Sequence, residues 1–287
     1  MKKITKIILF LFMLNTVSYS SSLRIEIKEL VNNLSSYKIL DVRDKNKFED
    51  LHIKGALNFS ASLTYNNFSI DGKISEPNKM QKIIRNLGLD INDNIVIYDD
   101  GTFFDASRVF WTLEVYGFKN LKLLNAGFNF WERLNYQTSK DIPIVKQSNY
   151  IPSINNKKLA TKFTTQIATK ANSQIIIDAR DYDNYIGKKS AAKRFGHIPK
   201  AINIPAINNI KKDLFKSKLK GIDELKDIYK NINKDKKIVL YCSIGRIAST
   251  NYFALRELGY DVSNYDASWK EWGNDSNLPI IKLSEAK

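Results

Sequence analysis

Cysteine occurs once in the 287 residues, as Cys242, and histidine only twice, as His52 and His197. A chain with one cysteine closes no internal disulfide, so its fold rests on core packing alone. One thiol and two imidazoles are too sparse for a structural zinc site, and no metal-ligand spacing is present. A glycine-rich phosphate loop and a dinucleotide fingerprint are both missing, so no metal or other cofactor is expected. Arginine-rich tracts and aromatic-interleaved basic stripes are also missing. The net charge of +15, from 45 basic against 30 acidic residues, is spread along the whole chain. That distribution argues against nucleic acid as a partner and for a general pull on small anions.

What is present begins with a targeting pattern. Lys2, Lys3 and Lys6 precede the apolar run IILFLFMLNTV (7–17), and Ser18 and Ser20 are small residues placed for cleavage after Ser20. Residues 1–20 therefore read as a signal peptide, and the mature chain as an exported, periplasmic protein without stable membrane association. The run is short for a transmembrane helix, although an uncleaved anchor is the alternative. The remaining composition, 43% hydrophobic and 26% charged, belongs to a packed chain rather than a disordered one. An unpaired thiol in an oxidising compartment is a hazard unless it is buried or used, which makes Cys242 worth explaining.

The chain repeats itself. KILDVRDKNKFEDLHIKGALNFSA (38–61) matches QIIIDARDYDNYIGKKSAAKRFGHIPKAINIPA (174–206) in its strand, Asp-x-Arg and His-Ile pattern. DNIVIYDDGTFFDASRVFWTLEVYGF (93–118) likewise matches KKIVLYCSIGRIASTNYFALRELGY (236–260). Asp41 to Asp178 is a shift of 137, Asp99 to Cys242 of 143, and His52 to His197 of 145. Near-constant shifts mean duplication, so two domains are expected, 21–140 and 155–287, with a polar linker at 141–154. Within each, short β-rich runs alternate with helical patterns such as RVFWTLEVYG and TNYFALRELG. That alternation predicts an α/β fold, each half a mostly parallel sheet flanked by helices, with any reactive site at the strands' carboxyl ends.

Cys242 directly follows the strand KIVLY. In Cys242-Ser243-Ile244-Gly245-Arg246-Ile247 the chain must turn tightly into a helix, which aims backbone N–H groups inward as an anion nest. Gly245 would allow the unusual dihedral, and Arg246 adds a positive charge; together these favour a nucleophilic thiolate. No histidine is adjacent to form a Cys-His pair. A phosphatase loop would need an arginine six places after the cysteine, where this chain has Ala248.

At these residues the chain resembles the tandem-domain rhodaneses, sulfurtransferases of the thiosulfate and 3-mercaptopyruvate type. DAR (178–180), GHIPKAINIP (196–205) and YDASWKEW (265–272) resemble the family's other signatures, with Lys200 and Ala267 standing where glycines are usual. The resemblance implies two rhodanese-like domains, the first catalytically silent with Asp99 at the cysteine's place. It implies that Cys242 takes sulfane sulfur as a persulfide from a small anionic donor and passes it to a thiol or cyanide. The backbone N–H groups of residues 243–247 would hold the persulfide. Arg180 resembles the donor-binding arginine, and of Lys188, Lys189, Lys193 and Arg194 the last is the preferred second contact. The loop matches neither the thiosulfate-type nor the mercaptopyruvate-type pattern; Arg246 favours thiosulfate, with 3-mercaptopyruvate the alternative. A non-catalytic persulfide carrier or binding protein is the reading from a different class.

Overall fold

The computed structural model describes residues 22–67, 72–212 and 217–282. The signal segment expected at 1–20 lies outside them.

The expected α/β halves are both present. In the first, five parallel strands lie in the order Arg24–Ile25, Leu121–Leu124, Ile95–Tyr98, Lys38–Asp41, Leu57–Asn58. In the second the order is Leu159–Ala160, Val262–Tyr265, Lys237–Tyr241, Gln174–Asp178, Ala201–Asn203. Strand for strand the two sheets have the same topology, as duplication requires. The central strands IVIY and IVLY are buried on both faces, which is why they read as unbroken apolar runs rather than alternating ones.

Each sheet is locked at the same point by the same network. Arg43 chelates Asp41, with Nη2 2.6 Å from Oδ2, and Tyr98 donates its hydroxyl to the same carboxylate oxygen at 2.6 Å. Arg180, Asp178 and Tyr241 repeat this arrangement, again at 2.6 Å for both bonds. Asn58 and Asn203 each donate to the two backbone carbonyls flanking their Asp-x-Arg turn. Burying these charges is tolerable because each carboxylate is fully engaged.

The halves do not behave as separate bodies. One apolar core runs continuously through both, from Leu40 and Ile97 to Leu240 and Phe253. Helices Phe104–Val115 and Ala248–Glu257 pack against each other, and Phe110 meets Phe253 edge to face at 5.1 Å. Across the same seam Glu114 accepts from Arg256 at 2.7 Å and from the Tyr252 hydroxyl at 2.5 Å. Arg24 pairs with Glu257. The linking segment, for all its polar composition, is a fastened strap. Tyr150 is buried and donates to the Tyr116 carbonyl, Arg85 donates to the Tyr150 carbonyl, and Asn155 donates to the Val115 carbonyl.

Of the two replaced glycines, Ala267 has an ordinary φ of −67°. Lys200 sits at φ +64°, where the first half keeps Gly55 at +82°. The lysine thus occupies a left-handed position at a cost of about 1 kcal/mol.

Candidate active site

Cys242 lies just beyond the end of strand Lys237–Tyr241, wholly buried at the base of its loop. Its N–H donates to the Ser268 hydroxyl at 3.1 Å, and its carbonyl accepts from Trp269 N–H at 2.9 Å. Gly245 takes φ +71°, and a Cβ there would meet the Asp266 carbonyl oxygen at 2.5 Å. Both the dihedral and the space therefore demand glycine. Its carbonyl is held by Asn264 Nδ2 and Ser249 Oγ, each at 2.9 Å, and by Arg108 Nη1 at 3.3 Å. Among the described residues, no acceptor takes the N–H groups of Ile244, Gly245, Arg246 or Ile247.

The twin loop of the first half shows what such N–H groups hold. There Asp99 stands at the strand end, and its carboxylate accepts from the N–H groups of Gly101 (2.7 Å), Phe103 (3.1 Å) and Ala106 (3.3 Å). Burial pushes the Asp99 carboxyl above its usual range, and the three backbone bonds oppose that shift. The first half carries its own carboxylate in the nest. The second half has a thiol at the strand end instead.

Residues of the first half pack against the Cys242 loop. Gly72 packs so closely that a side chain there would strike Ile244 Cβ at 2.9 Å. Ile74 N–H donates to Asp266 Oδ2 at 2.7 Å. Burial pushes the Tyr65 hydroxyl up to about 12; the nearby Arg108 charge opposes that rise, and charge at Cys242 adds to it. A cavity of about 340 Å³ borders the loop, lined by Arg43, Lys47, Asp99, Asp100, Asp105 and Arg246 among others. In it Arg43 chelates Asp41, Lys47 pairs with Asp100 and Arg246 pairs with Asp105.

Three expectations about charge need correcting. Arg180 does not face a donor: it is 1% exposed, chelates Asp178, donates to the Gly196 carbonyl and stacks on Trp269. Arg43 does the same in the half that lacks the cysteine, so the role is architectural. Arg194 donates to the backbone carbonyls of Trp272, Gly273, Asp275 and Leu278, and so ties down the closing segment. Arg246 is in the loop, but its Nε and Nη2 bind both Asp105 oxygens at 2.5 and 2.6 Å. The bond to Asp105 raises its pKa, and its charge is neutralised. Lys188, Lys189 and Lys193 are exposed, and Lys189 pairs with Asp183 at 3.0 Å.

Sequence reasoning missed Asp105 and Arg108 because both belong to the silent half. The signal lay in the pairing of helices: Arg108 aligns with Thr250, the counterpart on the opposite helix.

Fold and site together define a tandem α/β protein of covalent sulfur chemistry, with one anion-holding loop headed by cysteine and its twin blocked by aspartate. The Rhodanese-like domain profile matches twice, over residues 26–134 and 160–275, and the chain belongs to that family as a tandem-domain sulfurtransferase. The chain is 27% identical over 238 residues to the 3-mercaptopyruvate sulfurtransferase of Escherichia coli K12, covering 80% of this chain and 83% of that one. It is 30% identical over 250 residues to the sulfur carrier protein TtuD of Thermus thermophilus, covering 82% and 86%. A relative from Haloferax volcanii provisionally named a thiosulfate sulfurtransferase is 27% identical over 260 residues, covering 86% and 89%. Among solved structures, SseA from Escherichia coli superposes with a TM-score of 0.77 at 24% identity, covering 87% of this chain and 100% of that chain.

Proposed function

We propose that the protein moves sulfane sulfur from thiosulfate to a thiol or cyanide through a persulfide on Cys242. The Cys242 thiolate attacks the outer sulfur of the donor; the new S–S bond forms as the donor's S–S bond breaks, and sulfite leaves with its electron pair. The acceptor's thiolate or cyanide carbon then attacks the terminal sulfur and releases the Cys242 thiolate. The reaction needs no external redox partner. The loop's N–H groups stabilise the anionic terminal sulfur, as the equivalent groups of the twin loop hold the Asp99 carboxylate. That correspondence is the observation that carries the reading.

With Arg246 paired to Asp105, the loop's cation no longer singles out thiosulfate, so 3-mercaptopyruvate is the comparison donor. The TtuD relative supports testing a carrier role as well. The experiment measures thiocyanate formed from cyanide with each donor, alongside the mass of Cys242. Turnover lost in Cys242→Ser supports the mechanism, and turnover retained sinks it. A persulfide that forms but turns over with neither small acceptor favours the carrier.

Export through residues 1–20 is part of the same proposal, supported by the basic and apolar pattern at 2–17. N-terminal sequencing of the protein recovered from a periplasmic fraction should begin at Ser21; an intact Met1 would overturn it.

A further inference from the structure

Among the described residues, Arg108 is a fully buried charge with no carboxylate bonded to it. It lies within the silent half's helix Phe104–Val115 and is 0% exposed. Its Nε donates to Thr64 Oγ1 at 3.2 Å and its Nη1 to the Gly245 carbonyl at 3.3 Å, both neutral acceptors. The guanidinium carbon lies 4.3 Å from the Tyr65 ring centre and 4.5 Å from that of Trp111. Among the described residues, no carboxylate forms an ion pair with it, and Nη2 has no acceptor. Asp266 is near enough to feel its charge, but its carboxylate bonds to the N–H groups of Ile74 and Ala267 rather than to the guanidinium. Arg43 and Arg180, buried to a similar degree, each chelate an aspartate.

A buried cation with no ion pair of its own is costly, so a further anion formed during the working cycle would be favoured beside it. Arg108 grips the loop in which that anion is made. The Gly245 carbonyl it holds fixes a planar trans peptide whose other face is the Arg246 N–H, pointing the opposite way.

We propose that Arg108 is a positioning residue through which the silent half serves catalysis. It holds the Gly245 peptide in its working orientation and supplies the positive charge that balances the Cys242 persulfide. The proposal rests on the sulfur-transfer reading above and names a function for the half that lacks the cysteine. It also explains why this charge sits under the loop rather than within it. A side chain that contacts only the loop's backbone leaves the donor's path to the thiol clear.

The test compares full-length wild type, Arg108→Lys and Arg108→Gln. Single-turnover sulfite release from thiosulfate reports persulfide formation, intact mass reports persulfide lifetime, and urea unfolding confirms the fold. The Gln variant should form persulfide about tenfold or more slowly, the scale of a lost charged hydrogen bond. Its apparent thiosulfate affinity should change by less than about twofold, because the contact is to the loop rather than to the donor. The Lys variant should recover most of the rate, since a lysine keeps the charge. Wild-type kinetics in Arg108→Gln, equal failure of Lys and Gln, or a loss confined to affinity would each overturn the proposal. If Arg108→Gln fails to fold, Thr64→Val removes the Nε anchor while keeping the guanidinium, at the cost of the hydroxyl's bond to the Ala61 carbonyl. A smaller loss of the same kind supports the proposal, and no loss refutes it. A wild type that forms no persulfide refutes the sulfur-transfer reading instead.

Discussion

Asp105 should restrain the use of thiosulfate, and Asp105→Asn should relieve that restraint. The carboxylate binds Arg246 through two bonds of 2.5 and 2.6 Å across the seam between the halves. Both groups open onto the 340 Å³ cavity, with the Arg246 side chain 37% exposed and that of Asp105 28% exposed. Asparagine keeps an oxygen to orient Arg246 but removes the negative charge. For a dianionic donor about 6 Å away in an effective dielectric of about 60, one carboxylate charge is worth about 2 kcal/mol. Solvent screening at such an exposed pair reduces that to about 1 kcal/mol. The thiosulfate KM should therefore fall about fivefold. 3-Mercaptopyruvate carries one charge and should gain about half as much free energy, so the preference for thiosulfate should rise about twofold. The assay is initial-rate kinetics with each donor at low and high ionic strength, since screening by salt should shrink the difference. An unchanged or raised thiosulfate KM would refute the reasoning, because it would mean that the donor never meets this charge.

Two further outcomes bear on the framework around the site. Arg43→Met and Arg180→Met should each cost about 3–5 kcal/mol by urea unfolding, since each strands a buried aspartate; a conservative Arg180→Lys that raised the donor KM without loss of stability would restore Arg180 to the site. His197 is held below its ordinary pKa of 6.5 chiefly by burial, while its Nδ1 contacts the Tyr185 carbonyl at 2.8 Å. The unfolded imidazole takes its proton first as pH falls, so this stability is complete above about pH 6.5 and is lost as pH drops towards the folded value. Urea midpoints at about pH 7.5 and about pH 5.5 should fall less in His197→Gln than in wild type, and an identical fall would show that another group carries the dependence.

The duplication, the parallel sheets and the placement of Cys242 were legible in the sequence because they depend on local chemistry. A buried Asp-x-Arg turn, a tyrosine at the next strand end and a glycine at positive φ leave the same letters wherever they occur. The charges of Arg194 and Arg246 were not legible, because their roles depend on partners far along the chain. Arg246 looked free until Asp105, 141 positions earlier, was brought against it. Arg180 looked like a donor contact although the repeat already contained the counter-evidence. Arg43 occupies the same motif in a half without the cysteine, and its Nη2 makes the same 2.6 Å bond to its aspartate. The fastening of the linker was hidden in the same way: Ser148 and Tyr150 donate to the Leu89 and Tyr116 carbonyls, tens of positions earlier.

The two copies act as a built-in control, because whatever both halves share is needed for the fold, and whatever differs is free to serve the reaction. By that subtraction Asp178, Arg180, Tyr241 and Asn203 drop out, since Asp41, Arg43, Tyr98 and Asn58 reproduce every bond. What survives is a cysteine where the twin has Asp99, a loop with unspent N–H groups where the twin's are taken by its own carboxylate, and the asymmetric pair Arg108 and Thr250. Thr250 meets the Phe103 carbonyl only at 3.5 Å, whereas Arg108 reaches Gly245 with a full charge. The first half thus differs at the strand end, where it carries Asp99, and at Arg108, which reaches into the Cys242 loop. On the proposed role of Arg108 the first half is part of the active site, and separating the halves would remove the cation beneath the Cys242 loop along with part of the shared core.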